Sequence, residues 1–124
     1  MTDANIAPIL DALAAVRMPA QPGEYDIHAQ VASALGAAGL DFEHEYKLGP
    51  RCRIDFRVGR VGIEVKKGRP AATALTQQLR RYLESDDLDA AVVVVQRALP
   101  LPGRILGKPV RVVSLNRLWG VALP

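Results

Sequence analysis

A single cysteine, Cys52, stands among 124 residues, so an internal disulfide framework and a cysteine-based zinc site are both excluded. Long apolar runs are also missing. The longest, Ala90 to Val95, has six residues, against the roughly 18 that a membrane helix needs. Met1 to Asn5 has no basic residue ahead of a long apolar stretch, so a secretory signal is not expected and a reduced, cytoplasmic protein is. No Ser-His-Asp order, phosphate-cradling glycine loop or dinucleotide glycine pattern occurs. Aromatic residues make up only 5%, but the hydrophobic fraction of 49% is ordinary for a folded protein and argues against global disorder. The length fits one domain.

Acidic residues are scarce in one place. Net charge is +3, but residues 1–46 carry −6, residues 47–81 carry +8 and residues 82–124 carry +1. The central segment holds ten basic residues and only two acids, Asp55 and Glu64. A basic centre suits a polyanionic partner such as nucleic acid.

Hydrophobic spacing predicts the elements. Residues 6–16 place Ile6, Ile9, Leu10, Leu13 and Val16 at helical intervals, with Pro8 tolerable in a first turn. Pro19, Pro22 and Gly23 break the chain. A second helix runs from about 24 to 38 with Ile27, Val31, Leu35 and Ala38 on one stripe, and Gly39 stops it. Residues 41–48 alternate Phe42, His44, Tyr46 and Leu48 against charged neighbours, as a strand does. In 51–58, Cys52, Ile54, Phe56 and Val58 form the expected apolar face. Gly59-Arg60 is a two-residue hairpin loop with glycine first, as a type II′ turn prefers. The strand 61–67 follows, then a helix over 71–83 burying Leu75, Leu79, Tyr82 and Leu83. The unalternating run 90–95 reads as a strand covered on both faces. A Pro/Gly loop at 99–109, a strand at 110–115 and a tail with Trp119 complete the chain. The fold class is therefore α/β, a mixed sheet flanked by helices.

The hairpin register would oppose Asp55 and Glu64 directly on one polar face, where like charges repel. A bound cation relieves that repulsion, and hard ions such as Mg²⁺ prefer carboxylate oxygens. Lys66, two residues past Glu64, shares its face. Glu24 precedes Val31 and Leu35 by seven and eleven residues, offsets that return it to within about 20° of the apolar stripe. It is either a third acid for the same centre or an N-terminal acid favoured by the helix dipole. Relative to Leu75, Gln78 lies at about −60° and Gln77 at about 200°, so Gln78 borders the packed stripe.

Glu24, then Arg53-Ile54-Asp55-Phe56, then Ile63-Glu64-Val65-Lys66, with the later run Gln78-Leu79-Arg80-Arg81-Tyr82, resembles the PD-(D/E)XK nuclease superfamily. The resemblance covers about residues 24–96. Ile54 stands where the eponymous proline would be. The resemblance implies a restriction-endonuclease-like αβββαβ core, with an added N-terminal helix and C-terminal strand. It implies a metal-dependent endonuclease acting on DNA, structure-selective or nonspecific, with Asp55 and Glu64 ligating Mg²⁺ or Mn²⁺ and Glu24 contributing directly or through water. Lys66 would orient or activate the attacking water, and Gln78 would contact metal-bound water or DNA.

Arg51, Arg53, Arg57, Lys67, Arg69, Arg80 and Arg81 are candidate phosphate contacts. His28, His44, Cys52 and Tyr82 read as packing residues. A non-catalytic nucleic-acid-binding module of the same fold, or an assembly domain forming a homodimer through the 6–16 helix and the tail, are the alternative readings.

Overall fold

The structure, a computed structural model, describes residues 5–16 and 24–115. Most of the predicted break at 18–24, and Trp119, lie outside the described residues. Among the described residues three helices and six strands follow one another: α1 (Ala7–Leu13), α2 (Glu24–Ala37), β1 (Glu43–Gly49), β2 (Cys52–Val58), β3 (Val61–Lys66), α3 (Ala72–Leu83), β4 (Ala90–Val95), β5 (Arg104–Ile105) and β6 (Lys108–Ser114). They build one sheet in the order β1-β2-β3-β4-β6-β5. β1, β2 and β3 form an antiparallel meander, β4 lies parallel to β3 and to β6, and β5 closes the far edge antiparallel to β6. This is an α/β mixed open sheet, as the element pattern predicts. Among the described residues no helix is long and apolar enough to cross a membrane.

Two cores lie on opposite faces of the sheet. On one, Ile9 and Leu13 of α1 and Ile27, Val31 and Leu35 of α2 meet Phe56, Ile63, Val65, Val92 and Val94. On the other, Leu75, Leu79, Tyr82 and Leu83 of α3 meet Ile54, Leu88, Val93 and Val95. β4 alternates between the two, which is why its sequence has no polar face: every residue of Ala90–Val95 is buried. The hairpin loop forms as expected, with Val58 paired to Val61 and Gly59 at φ 57°.

Two expectations about faces fail, at one level of the sheet. In β2, Phe56 and Val58 pack with α1 and α2, but Cys52 and Ile54 pack with α3. In β1, Phe42 just before the strand joins the α2 side while Tyr46 and Leu48 join the α3 side. Simple alternation would have kept each set together. Both switches occur across the neighbours Glu45 and Asp55. Glu45 has a left-handed φ of 56°, a conformation that interrupts the pleat. Gly62 makes room for the crossing: a Cβ there would collide with Ile54 Cδ1 and would stand 2.9 Å from Leu88 Cδ1.

The stretch 99–109, expected as a loop, contains β5 and a tight turn in which Leu106 and Gly107 both have positive φ, 54° and 76°. A two-residue strand is too short to leave a periodic signal. β6 accordingly starts at Lys108 rather than at Val110.

Candidate functional site

The face switch at Asp55 creates the site. β2 and β3 pair only through Phe56↔Ile63, Arg57↔Gly62 and Val58↔Val61. The expected Asp55–Glu64 pair is not part of this ladder. Instead the Val65 N–H donates to Asp55 Oδ2 at 2.7 Å, so a side chain takes the place of a backbone acceptor where the strands part. The same oxygen lies 3.6 Å from His28 Nε2 of α2. Asp55 thus leaves its strand's regular geometry and stands between two strands and a helix.

Glu64 lies on the α3 side of β3, only 3% exposed. Its Oε2 pairs with Lys66 Nζ at 3.2 Å, while its Oε1 is buried and has no hydrogen-bond partner among the described residues. Burial pushes the Glu64 carboxyl up to about 7, the Asp55 charge adds to the rise, and Lys66 opposes it. The two acids therefore sense each other across the opening, although not as a ladder pair. A carboxylate kept in such a place is costly unless something compensates it.

Two residues of α3 close the centre. The Tyr82 hydroxyl lies near Glu64, and burial with the nearby Glu64 and Asp55 charges holds its pKa well above the ordinary value. Gln78 Nε2 donates to Tyr82 Oη at 2.8 Å. Gln78 therefore reaches the acidic pair through Tyr82, and Gln77 is exposed, as the helix angles predict. Spacing alone assigns Tyr82 to the core. It is buried at 4% exposure, yet its hydroxyl belongs to the site. The legible signal is the four-residue spacing from Gln78, which stacks the two side chains on one helix face. Glu24 is the first residue of α2, and its side chain lies outside the described part.

A cavity of about 640 Å³ opens beside this cluster, lined by Glu45, Lys47, Arg51, Cys52, Arg53, Gln78, Arg81 and Tyr82. A second, of about 410 Å³, lies between Lys66 and Ala71, Leu75, Gln78 and Arg81. Gln78 and Arg81 border both. Arg51, Arg53 and Arg81 are thus gathered around the first cavity. Lys67 and Arg69 are exposed on the segment after β3, whose Gly68 N–H donates to Gln96 Oε1 at 2.9 Å. Arg80 is exposed. Arg57 sits elsewhere: it pairs with Glu43 at 3.3 Å and lies 4.4 Å above the Tyr46 ring.

Among the described residues no group of three or more His, Cys, Asp or Glu side chains is arranged to hold a metal ion. The acidic donors at hand are the two carboxylates. That set suits Mg²⁺, which commonly takes one or two carboxylates and completes its shell with water and substrate phosphates. No family model matches this chain, and no curated protein or solved structure matches it either.

Proposed function

We propose that this protein is a metal-dependent nuclease that hydrolyses phosphodiester bonds of DNA, with the PD-(D/E)XK arrangement its sequence resembles. The observation that carries the reading is Glu64: a buried carboxylate with one oxygen lacking a hydrogen-bond partner among the described residues, raised in pKa by burial and by Asp55, and in contact with Lys66. Structural use alone does not account for it, since a buried acid costs stability and an apolar residue would fill the same space. An orphaned oxygen beside a second carboxylate fits a hard divalent cation, and Asp55 and Glu64 would hold it. When bound, Mg²⁺ or Mn²⁺ supplies Lewis-acid stabilisation of charge on a phosphoryl oxygen.

The chain's own residues do the rest. Lys66 stands against the carboxylate pair, where an ammonium group offsets the negative charge that develops during phosphoryl transfer. Tyr82, hydrogen-bonded by Gln78, lies near Glu64 on the helix side. Arg51, Arg53 and Arg81, around the adjacent cavity, give the phosphate backbone its seat.

The test is incubation with supercoiled plasmid, single-stranded and branched DNA, each with Mg²⁺, Mn²⁺ or EDTA. Cleavage that needs the metal and is abolished in Asp55→Asn supports the reading. DNA binding without cleavage by the parent protein under any of these metals overturns it in favour of a binding module.

A further inference from the structure

Two histidines that spacing assigns to packing meet at the acidic centre. His28 of α2 is 5% exposed, and its Nε2 lies 3.6 Å from Asp55 Oδ2. Its Nδ1 lies 3.0 Å from Nε2 of His44 in β1. His44 is a solvent-exposed residue on the sheet's edge strand, and the ladder pairs it with Phe56. Its ring stacks on Phe56 at 4.6 Å with 20° between the planes. Phe56, wholly buried, also supports His28 at 5.4 Å.

Proton placement follows from these contacts. A lone pair on His28 Nε2 would face a carboxylate oxygen in a buried setting and be repelled, so Nε2 carries the hydrogen. In a neutral imidazole Nδ1 is then the acceptor. His44 must therefore donate its Nε2–H to His28. From surface to centre, a hydrogen bond of 3.0 Å joins His44 to His28, and an electrostatic contact of 3.6 Å joins His28 to Asp55. It converges with the Val65 N–H on the same oxygen of Asp55. One carboxylate oxygen is thus addressed from β3 and from α2, and the α2 contact is itself oriented from β1.

We propose that His44 is a positioning residue for the acidic centre: through His28 it fixes the orientation of the Asp55 carboxylate for a divalent cation. This rests on the nuclease reading and adds to it a residue on the edge strand whose side chain does not border the cavities. Groups that orient a metal-binding carboxylate typically change metal affinity by about 10–100-fold when removed.

Two substitutions separate donation from packing. His44→Phe keeps a ring on Phe56 and removes the N–H. His44→Gln keeps a donor and removes the ring. Free Mn²⁺ is titrated by electron paramagnetic resonance against the parent and both variants, with thermal melts confirming that each is folded. The expected result is a dissociation constant about 10-fold weaker in His44→Phe and close to the parent's in His44→Gln. Equal Mn²⁺ affinity in the parent and His44→Phe overturns the positioning role alone. A parent that binds no Mn²⁺ overturns the metal reading and the positioning role with it.

A metal-free measurement adds a second check. Two-bond ¹H–¹⁵N correlations at about pH 8.5, two units above the ordinary imidazole value, should show His28 protonated at Nε2 in the parent. Protonation at Nδ1 instead overturns the proposal.

Discussion

The two ends of the β2–β3 hairpin treat charge in opposite ways. At the turn, Arg60 donates to both carboxylate oxygens of Asp89, at 2.7 and 3.1 Å, and to the Asp86 carbonyl. Arg57 there pairs with Glu43 and lies over Tyr46, whose hydroxyl donates to Asp87 at 2.9 Å. These are exposed or half-exposed clasps: Arg60 in the β2–β3 loop and Tyr46 of β1 are tied to the segment entering β4, and Arg57 ties β2 to β1. At the open end the order reverses. Glu64 is buried, one of its oxygens has no hydrogen bond among the described residues, and Asp55 leaves the ladder. At the turn both guanidinium groups face a carboxylate, although Arg57 Nε is itself buried and among the described residues has no hydrogen bond; at the open end a buried carboxylate stands near a second one, and stability is given up there. Such a concession is what the proposed metal site requires.

The largest expected effect concerns Lys66. Its ammonium touches Glu64 and can offset developing negative charge without ligating the cation. Lys66→Ala should lower the cleavage rate by about 10²–10³-fold, the scale of losing one electrostatic group in a transition state. Mn²⁺ affinity should persist, because both carboxylates remain. Single-turnover cleavage alongside an Mn²⁺ titration reads both. Unchanged turnover would place the open end on the same footing as the turn.

The next effect is on stability against pH, without metal. The Glu64 carboxyl titrates near 7 in the folded protein and at 4.5 ordinarily. Between these values the folded state holds the proton that the unfolded state has released. Stability is therefore fullest below about pH 4.5 and falls as pH rises through about 7, by up to about 3 kcal/mol at roughly 1.4 per unit. Glu64→Gln should flatten that decline, and Mg²⁺ should stabilise the parent more at pH 8 than at pH 5, since binding requires the carboxylate. Urea unfolding at pH 5 and pH 8 measures it. A parent whose stability does not fall over this interval would mean Glu64 is compensated after all.

Gly62 sharpens the comparison at its midpoint. It lies between the clasped turn and the open end, and its missing Cβ lets Ile54 cross toward α3 beside Leu88. Gly62→Ala should destabilise by about 1–3 kcal/mol through overpacking. Because Ile54 precedes Asp55, the variant should also weaken Mn²⁺ binding. Thermal melts and the same titration decide whether both effects occur together.

Element order was legible in the sequence because each element carries its own period. The valines of β4, the stripes of α2 and α3 and the glycine-first turn all do. Glu64, Lys66 and Gln78 were legible as site candidates for the same reason, since strand and helix faces follow from spacing. What alternation concealed was the face switch at Glu45 and Asp55. A single left-handed residue sends Tyr46 to the face opposite Phe42, and a side chain that replaces a ladder acceptor does the same for Ile54. The meeting of His28, His44 and Asp55 depends on that switch and on the packing of α2 over the sheet, which no local pattern records. Tyr82 looked like core because it is core, and only its hydroxyl departs from that role.

The smallest expected effect compares two arginines. Arg81 lines both cavities and spends one nitrogen on the Arg51 carbonyl at 3.2 Å. Arg60 is held by Asp89 and Asp86 at the turn, and the contact with Asp89 raises its pKa while lowering that of Asp89. A guanidinium already neutralised by a carboxylate displaces few counterions from DNA, whereas one facing an open cavity can replace one at each phosphate it meets. The slope of log affinity against log salt should therefore flatten by about 0.9 for each phosphate that a variant no longer neutralises. Arg81→Ala should show that change, and Arg60→Ala should leave the slope unaltered while lowering the melting temperature. Filter binding to a duplex between about 50 and 200 mM salt, the range over which phosphate neutralisation shows itself, measures it. Equal slopes for the two variants would mean that the cavity is not where the phosphate backbone lies, even if cleavage itself is confirmed.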